Sequence, residues 1–266
     1  MSVASASDVT VIVATYERPA WLEQSLRSIA AAAQVAGREG ISTRILVVDD
    51  SSPSASTREV ALRMGVDYVR TPAPNPERTP SAARVFGIRL VRSRYFSFFD
   101  DDDVMLPPFI MRSVQRLRAG ADVAQQAYVV TDETLRPVRT MVPLVGYLGD
   151  MLADHNAVND FAMVVTDRAS DVWDPGLGKL MMFGAWLELA FRGARFGVVR
   201  EPMFQYRRHE TNMSDDLDAE YWATRAALVS RYRDKTRARD GRIPGPSWRL
   251  RARRIVAPAV RAIARR

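Results

Sequence analysis

Cysteine is absent from the 266 residues, which excludes a disulfide framework and any thiolate metal site. A metal would have to sit on oxygen or imidazole ligands, and with two histidines in the chain the carboxylates become the residues to watch. No run approaches the roughly 20 apolar residues that cross a bilayer. The opening MSVASASDVTVIVATY lacks the basic residues that begin a secretory signal. A cytoplasmic protein is therefore expected. Internal repeats are missing, and so is the glycine-rich phosphate loop that would support nucleotidyl transfer.

What is present suits one large α/β domain, or one domain with an appendage. The hydrophobic content is 47%, enough for a substantial core. The formal charge of +7 comes largely from residues beyond 230, in RYRDKTRARDGR and SWRLRARRIVAPAVRAIARR, so the body of the protein is nearer neutral.

Residues 9–14 (VTVIVA) are short, β-branched and flanked by polar residues, as in a strand buried on both faces of a parallel sheet. Residues 20–35 follow Pro19 and set Leu22, Leu26 and Ile29 at helical spacing. The alternation continues with a strand over 43–48, a helix over 56–64 and a strand over 66–70, which predicts parallel βαβ units. Four prolines within residues 71–80 predict an exposed loop that serves as a wall or lid. A helix over 81–91 then leads to YFSFF (95–99), an aromatic strand that runs into four consecutive aspartates. Further on, a helix over 107–119, strands over 123–130 and 137–144, a helix over 179–192 capped by Gly193, and a strand over 195–199 are predicted.

Ligands of open α/β sheets bind outside the carboxyl ends of the strands. Three such ends carry Thr15-Tyr16-Glu17, Asp49-Asp50 and Asp100-Asp101-Asp102-Asp103, all predicted to face one crevice. Acidic runs are commonly wet surface. Adjacent carboxylates at a folded strand end repel one another, however, unless a cation or solvent takes up the charge, and oxygen-only ligands favour Mg²⁺ or Mn²⁺.

The aromatic strand entering the run and Leu106-Pro107-Pro108 leaving it, taken with the two earlier strand ends, resemble the family 2 glycosyltransferases over roughly residues 9–214. VIVATYERPAWLEQSLRSI, ILVVDDSS and ARVFGIRLVRSRYFSFFDDDDVMLPP carry the resemblance. It implies a GT-A α/β fold, a Rossmann-like, mostly parallel sheet flanked by helices, in a domain spanning 8–225. The donor half would extend to about 103 and the acceptor half to about 214, with a helical basic tail over 226–266. The implied reaction is inverting transfer of a sugar from a nucleoside-diphosphate sugar.

Residue by residue, the resemblance implies that Tyr16 lines the base, that Asp49 hydrogen-bonds base or ribose, and that Ala14, Thr15 and Glu17 form the same rim. Aligned on Pro107, Asp102 would be the metal ligand that bridges to the diphosphate, with Asp100 and Asp101 nearer the ribose and sugar. Arg84 would reach base or phosphates. In QYRRHETNMS, His209 would approach the metal from the far side, with Arg207 or Arg208 offering charge to phosphate.

An inverting displacement needs a base for the acceptor hydroxyl. The Glu-Asp pair that the family places there falls on Met181-Met182, and neither methionine accepts a proton. The nearest acids are Asp174, one loop earlier, and Glu188, on another radial face of the same helix. Three explanations follow: a relocated base, an acceptor that is already anionic, or a protein that binds nucleotide sugar without efficient turnover. The methionines either line an apolar acceptor pocket or fill helix core.

Residues 247–266 combine Trp248, Leu250, Ile255, Val256, Val260 and Ile263 with arginines, a composition that suits a helix in an anionic membrane interface, interrupted at Pro258. Docking onto the catalytic domain is the alternative, and nucleic acid is disfavoured because no recognition element accompanies the charge. The acceptor, whether lipid, polysaccharide or natural product, is not named by the sequence. Nucleotidyl transfer or diphosphate hydrolysis, and a noncatalytic nucleotide-sugar-binding protein, are the rival readings.

Overall fold

A computed structural model describes residues 7–73, 80–143, 148–153, 158–213 and 217–244. The wall or lid predicted around 71–80 lies mostly outside these residues, as does the whole of 247–266, the segment expected to suit a membrane interface.

The first strand, β1 (Val9–Thr15), is buried along its full length. It pairs in parallel with β2 (Thr43–Asp49) on one side, and with the strand Tyr95–Asp100 on the other. Strand β3 (Asp67–Arg70) extends the sheet beyond β2, and Tyr95–Asp100 is β4 in chain order. Side chains alternate across the sheet as the pleat requires. Val9, Val11 and Val13 enter one core with Leu22, Leu26 and Ile29 of α1 (Pro19–Arg38). Ile12 and Ala14 enter the other, with Ala83 and Ile88 at the two ends of α3 (Ser81–Ile88). Both faces are therefore covered, which is why the strands read as continuous apolar runs. The remaining helix of this half is α2 (Ser56–Arg63).

Register fixes what matters for function. Thr15 stands opposite Asp49, and Ala14 opposite Asp100, so three strand ends finish at the same edge.

Beyond β4 the sheet becomes mixed. After β5 (Val104–Met105) and α4 (Phe109–Arg118) come β6 (Val123–Thr131) and β7 (Pro137–Met141), then α5 (Leu148–Leu152), β8 (Met163–Val165) and α6 (Thr166–Ala169). A 3-10 turn (Pro175–Leu180) leads into α7 (Met181–Phe191), and the chain continues through β9 (Phe196–Arg207) to α8 (Ala219–Asp240). Among the described residues the strand order is β3-β2-β1-β4-β8-β6-β9-β5, with β7 on β6. Strand β8 lies antiparallel between β4 and β6, whereas β6 and β9 are parallel. The parallel character of the sheet thus belongs to its first half and to this one later pair.

Several predicted bounds shift. The helix predicted over 179–192 starts at Met181, because Gly178 at φ 49° breaks the preceding turn. Gly193 takes φ 82°, the left-handed value that closes a helix. The strand predicted over 195–199 runs on to Arg207, held by β6 through two register shifts near Pro202. Helix α8 crosses residue 225 unbroken, the point where the sequence placed the start of the basic tail, and buries Leu228, Val229 and Tyr232 in the main core. No described helix is long and apolar enough to cross a membrane.

Candidate active site

The three strand ends open onto a cavity of about 930 Å³. From the first half, Ala14, Thr15, Tyr16, Arg18, Asp50, Arg84, Asp100, Asp101 and Asp102 line it; from the second half, Tyr128, Arg139, Met141, Asp160, Met182 and Phe183 are among its walls.

The acidic run is held by cations and hydroxyls. The Thr15 hydroxyl donates to Asp101 Oδ2 at 2.6 Å. Arg18 Nη1 reaches Asp102 Oδ2 at 2.8 Å and Asp101 Oδ1 at 3.5 Å. His209 Nε2 lies 3.0 Å from the same Asp102 oxygen. Buried Arg84 pairs with Asp100 and lies over the Phe98 ring. The backbone N–H of Arg207 donates to Asp103 Oδ1 at 2.7 Å. Trp21 backs this cluster, with Arg18 and Arg207 over its ring and the His209 ring tilted against it at 4.4 Å.

Burial makes full ionisation of the run costly. It pushes the Asp101 carboxyl up to about 7, reinforced by the charge of Asp102 and opposed by the Thr15 hydroxyl and Arg18. Burial also raises Asp100 against the pull of Arg84. Asp103 is held well above the usual carboxylate range by burial and by the charges of Asp102 and Asp100. Burial would lower the pKa of Arg84, but the neighbouring Asp100 and Asp160 outweigh it and keep the guanidinium charged.

A divalent cation fits this arrangement. Asp100, Asp102 and Asp103 each offer an oxygen within 4.8 Å of the others. Asp103 Oδ2 is buried with no hydrogen-bond partner, an acceptor a cation would satisfy. An all-carboxylate set suits Mg²⁺ or Mn²⁺. Asp102 and His209, the ligands implied by resemblance, meet at one carboxylate oxygen, and Asp100 and Asp103 complete the acidic set.

Other expected residues fall differently. Asp49 does not line the cavity: its oxygens accept from the Ser52 N–H at 2.9 Å and the Tyr68 hydroxyl at 2.6 Å, which shapes the turn after β2, and Asp50 takes the cavity-facing position. The pleat sends consecutive side chains to opposite sides. Glu17 points away, accepting from the N–H and hydroxyl of Ser54. Asp174 is exposed and accepts from the Gly176 N–H as the cap of the 3-10 turn. Glu188 is occupied by Arg192 and the Tyr232 hydroxyl. The structure brings neither of these two acids to the cavity. Met181 packs in the core while Met182 lines the cavity, so the two methionines divide between the two roles considered for them.

Arg18 and Asp160 were not singled out by sequence reasoning, and Asp50 was named only together with Asp49 as a strand end facing the crevice. Arg18 carried a signal: it occupies the N-cap of α1, where a positive charge is unfavourable beside the helix dipole unless something else recruits it. Asp160 had none, being a lone acid before a three-residue strand. Its surface is more than a third accessible from the cavity, yet protein crowds it closely enough to push its carboxyl up to about 6, with Arg84 pulling it down and Asp100 adding to the rise.

A parallel βαβ half that ends in an acid cluster, joined to a mixed-sheet half across one cavity, defines a GT-A type protein. Solved structures share this architecture. S. aureus TarS 1–349 in complex with UDP-GlcNAc superposes with a TM-score of 0.62 over 87% of this chain and 73% of that one, at 13% identity. The mannosyltransferase PcManGT from Pyrobaculum calidifontis, in complex with GDP-Man and Mn²⁺, gives 0.56 over 91% and 67%, at 14% identity. Residues 10–169 match the model of glycosyl transferase family 2, and the chain belongs to that family. The succinoglycan biosynthesis protein ExoO of Rhizobium meliloti (strain 1021) is 33% identical over 118 residues, 44% of this chain, and the match spans about a third (32%) of ExoO.

Proposed function

We propose that this chain transfers a glycosyl group, with inversion, from a nucleoside-diphosphate sugar to an acceptor, assisted by Mg²⁺ or Mn²⁺. The observation that carries the reading is the gathering of Thr15, Arg18, Asp50, Arg84 and the acidic run onto one cavity at a common sheet edge. Family membership and the nucleotide-sugar complexes of the structural relatives support it.

Asp100, Asp102 and Asp103 would hold the cation, which when bound neutralises charge on the departing diphosphate. Arg18, already on Asp102, flanks that position and supplies further positive charge, and His209 Nε2 stands against the same Asp102 oxygen. Buried Arg84 pairs with part-buried Asp100 on the cavity wall, and Tyr16 would line the nucleotide. The mixed half, with Tyr128, Met141, Met182 and Phe183, supplies the acceptor wall. Its partly apolar character accommodates a lipid, a polysaccharide or a natural product, and the basic segment 247–266 would bring the protein to an anionic membrane surface if the acceptor is a lipid.

The test is calorimetry of a panel of nucleoside diphosphates with Mn²⁺, with Mg²⁺ and with chelator, on wild type and Asp102→Ala. Metal-dependent binding of one base, lost in the variant, is expected. Binding of no nucleotide under any condition would sink the reading. The methionines at 181 and 182 favour one rival, a protein that binds donor without turnover; release of nucleoside diphosphate from the bound donor would eliminate it.

A further inference from the structure

We propose that Asp160 is the residue that takes the proton from the attacking hydroxyl. This rests on the transferase reading above.

The argument is one of elimination and placement. Among the described residues, five carboxylates line the cavity: Asp50, Asp100, Asp101, Asp102 and Asp160. Asp100 is paired with Arg84, Asp101 takes the Thr15 hydroxyl, and Asp102 takes Arg18 and His209. Asp50 accepts from the Thr71 hydroxyl at 3.3 Å. No described side chain or backbone N–H hydrogen-bonds the Asp160 carboxylate, and it is open to the cavity. Among the five it is the one with no described hydrogen-bond or ion-pair partner on either oxygen, which leaves the whole carboxylate for an incoming hydroxyl, whose proton a general base must reach directly or through one water.

Its position also fits. Asp160 belongs to the second half, in the segment that enters β8. Phe96 of β4 stands opposite Val164 of β8, and the Ser97 hydroxyl donates to the Phe161 carbonyl at 2.7 Å. The turn that leads into β8 carries Asp160, close enough to Arg84 and Asp100 to feel both charges, at the junction of the donor wall and the acceptor wall. Phe161, next in the chain, is packed against Phe99 and Phe204, so the backbone that carries the carboxylate is anchored. Met182, where the resemblance would have placed an acid, lines the same cavity without offering a lone pair basic enough for the task.

In the step, the acceptor oxygen forms a bond to the anomeric carbon as the bond from that carbon to the diphosphate oxygen breaks. The bonding pair leaves with the diphosphate, and the hydroxyl proton passes to an oxygen of Asp160, which returns it to solvent through its open face. Water can substitute for the acceptor slowly, which supplies an assay before the acceptor is identified.

The measurements are donor affinity by calorimetry and release of nucleoside diphosphate into water, using the nucleotide sugar whose base binds in the panel, for wild type, Asp160→Asn and, as an acid outside the cavity, Asp174→Asn. Asp160→Asn is expected to bind donor within about threefold of wild type and to lose about 10²–10⁴-fold in turnover, the range for a general base, while Asp174→Asn keeps both. Turnover in Asp160→Asn close to wild type would overturn the proposal. So would loss of donor binding in parallel with turnover, which would make Asp160 a support for Arg84 instead. A wild type that binds donor but never releases diphosphate would also overturn it, since a free base facing cavity water must activate that water. A wild type that binds no nucleotide would instead remove the transferase reading itself.

Discussion

Gly87, the seventh residue of α3, is where packing and site can be perturbed together. A Cβ built there meets Ile12 Cγ2 at 2.7 Å and Val48 Cγ2 at 3.0 Å. Both partners are fully buried in the sheet, and their γ-methyls branch at Cβ, so neither swings aside without leaving its rotamer. Overpacking of this kind costs about 1–3 kcal/mol, and the gain of alanine over glycine in a helix returns about 1 kcal/mol. Gly87→Ala should therefore lower stability by about 1 kcal/mol, and up to about 2, a fall of roughly 2–8 °C in Tm for a protein of this size. Arg84 lies one turn earlier on the same helix, so a shift of α3 off the sheet also draws its guanidinium away from Asp100, and donor affinity should fall with stability. The control is Gly184→Ala in α7, where the one close approach of the added Cβ is to Leu177 Cδ1, at 2.5 Å, with Leu228 Cδ2 at an ordinary 3.6 Å. That atom is the free end of a flexible, partly exposed side chain, so the helix gain of about 1 kcal/mol is offset only in part and the variant should lie between wild type and about 1 kcal/mol above it. Urea unfolding at constant m reads both. Equal midpoints for the two variants, or Gly87→Ala at or above wild type, would refute the reasoning.

Tyr68→Phe removes the hydroxyl that donates to buried Asp49 at 2.6 Å and leaves that carboxylate oxygen unpaired, a cost of about 1–3 kcal/mol in urea unfolding. An unchanged midpoint would mean that solvent reaches Asp49. Asp160 gives a pH signature of stability. Its carboxyl moves from 3.8 in the ordinary state to about 6 in the fold, so between those values the folded protein keeps a proton that the unfolded chain has lost. Wild type should therefore lose stability relative to Asp160→Asn as pH rises from about 4 to about 6, with no further change above that. A difference independent of pH across this window would place the carboxylate in bulk solvent.

The legible parts of this fold are those where burial is two-sided or periodic. Strands β1, β2 and β4 read as apolar runs because helices cover both faces, and α1 declared itself through Leu22, Leu26 and Ile29. Strands β5 and β8, of two and three residues, are too short to show a period, and their place in the sheet comes from partners distant in sequence. Helix α8 falls largely in the stretch expected as a helical basic tail, but its earlier start and its docking on the core were hidden by composition: a narrow stripe of Leu228, Val229 and Tyr232 lies among arginines whose stems cover apolar surface while their charges stay wet. In the site, a contiguous acidic run at a strand end was visible, but the choice between Asp49 and Asp50 was not. Consecutive side chains point to opposite sides, and which of the two faces the cavity depends on how β2 is seated in the sheet, which the letters do not record.

The same contrast explains how four adjacent aspartates are tolerated. Their mutual repulsion opposes the geometry they adopt, and Arg18 and Arg84 offset only part of it. What holds them is the strand beneath: Phe96 and Phe98 enter one core while Tyr95 and Phe99 enter the other. A one-residue slip of β4 against β1 would exchange those rings between the two faces. Because both faces are core, the cost of a slip is mispacking, about 1–3 kcal/mol for each misfitted ring, and summed over four rings it opposes any shift that the repulsion of the carboxylates would favour. The acid cluster is thus positioned by aromatic packing several residues away, and a cation that bound there would meet ligands already in place.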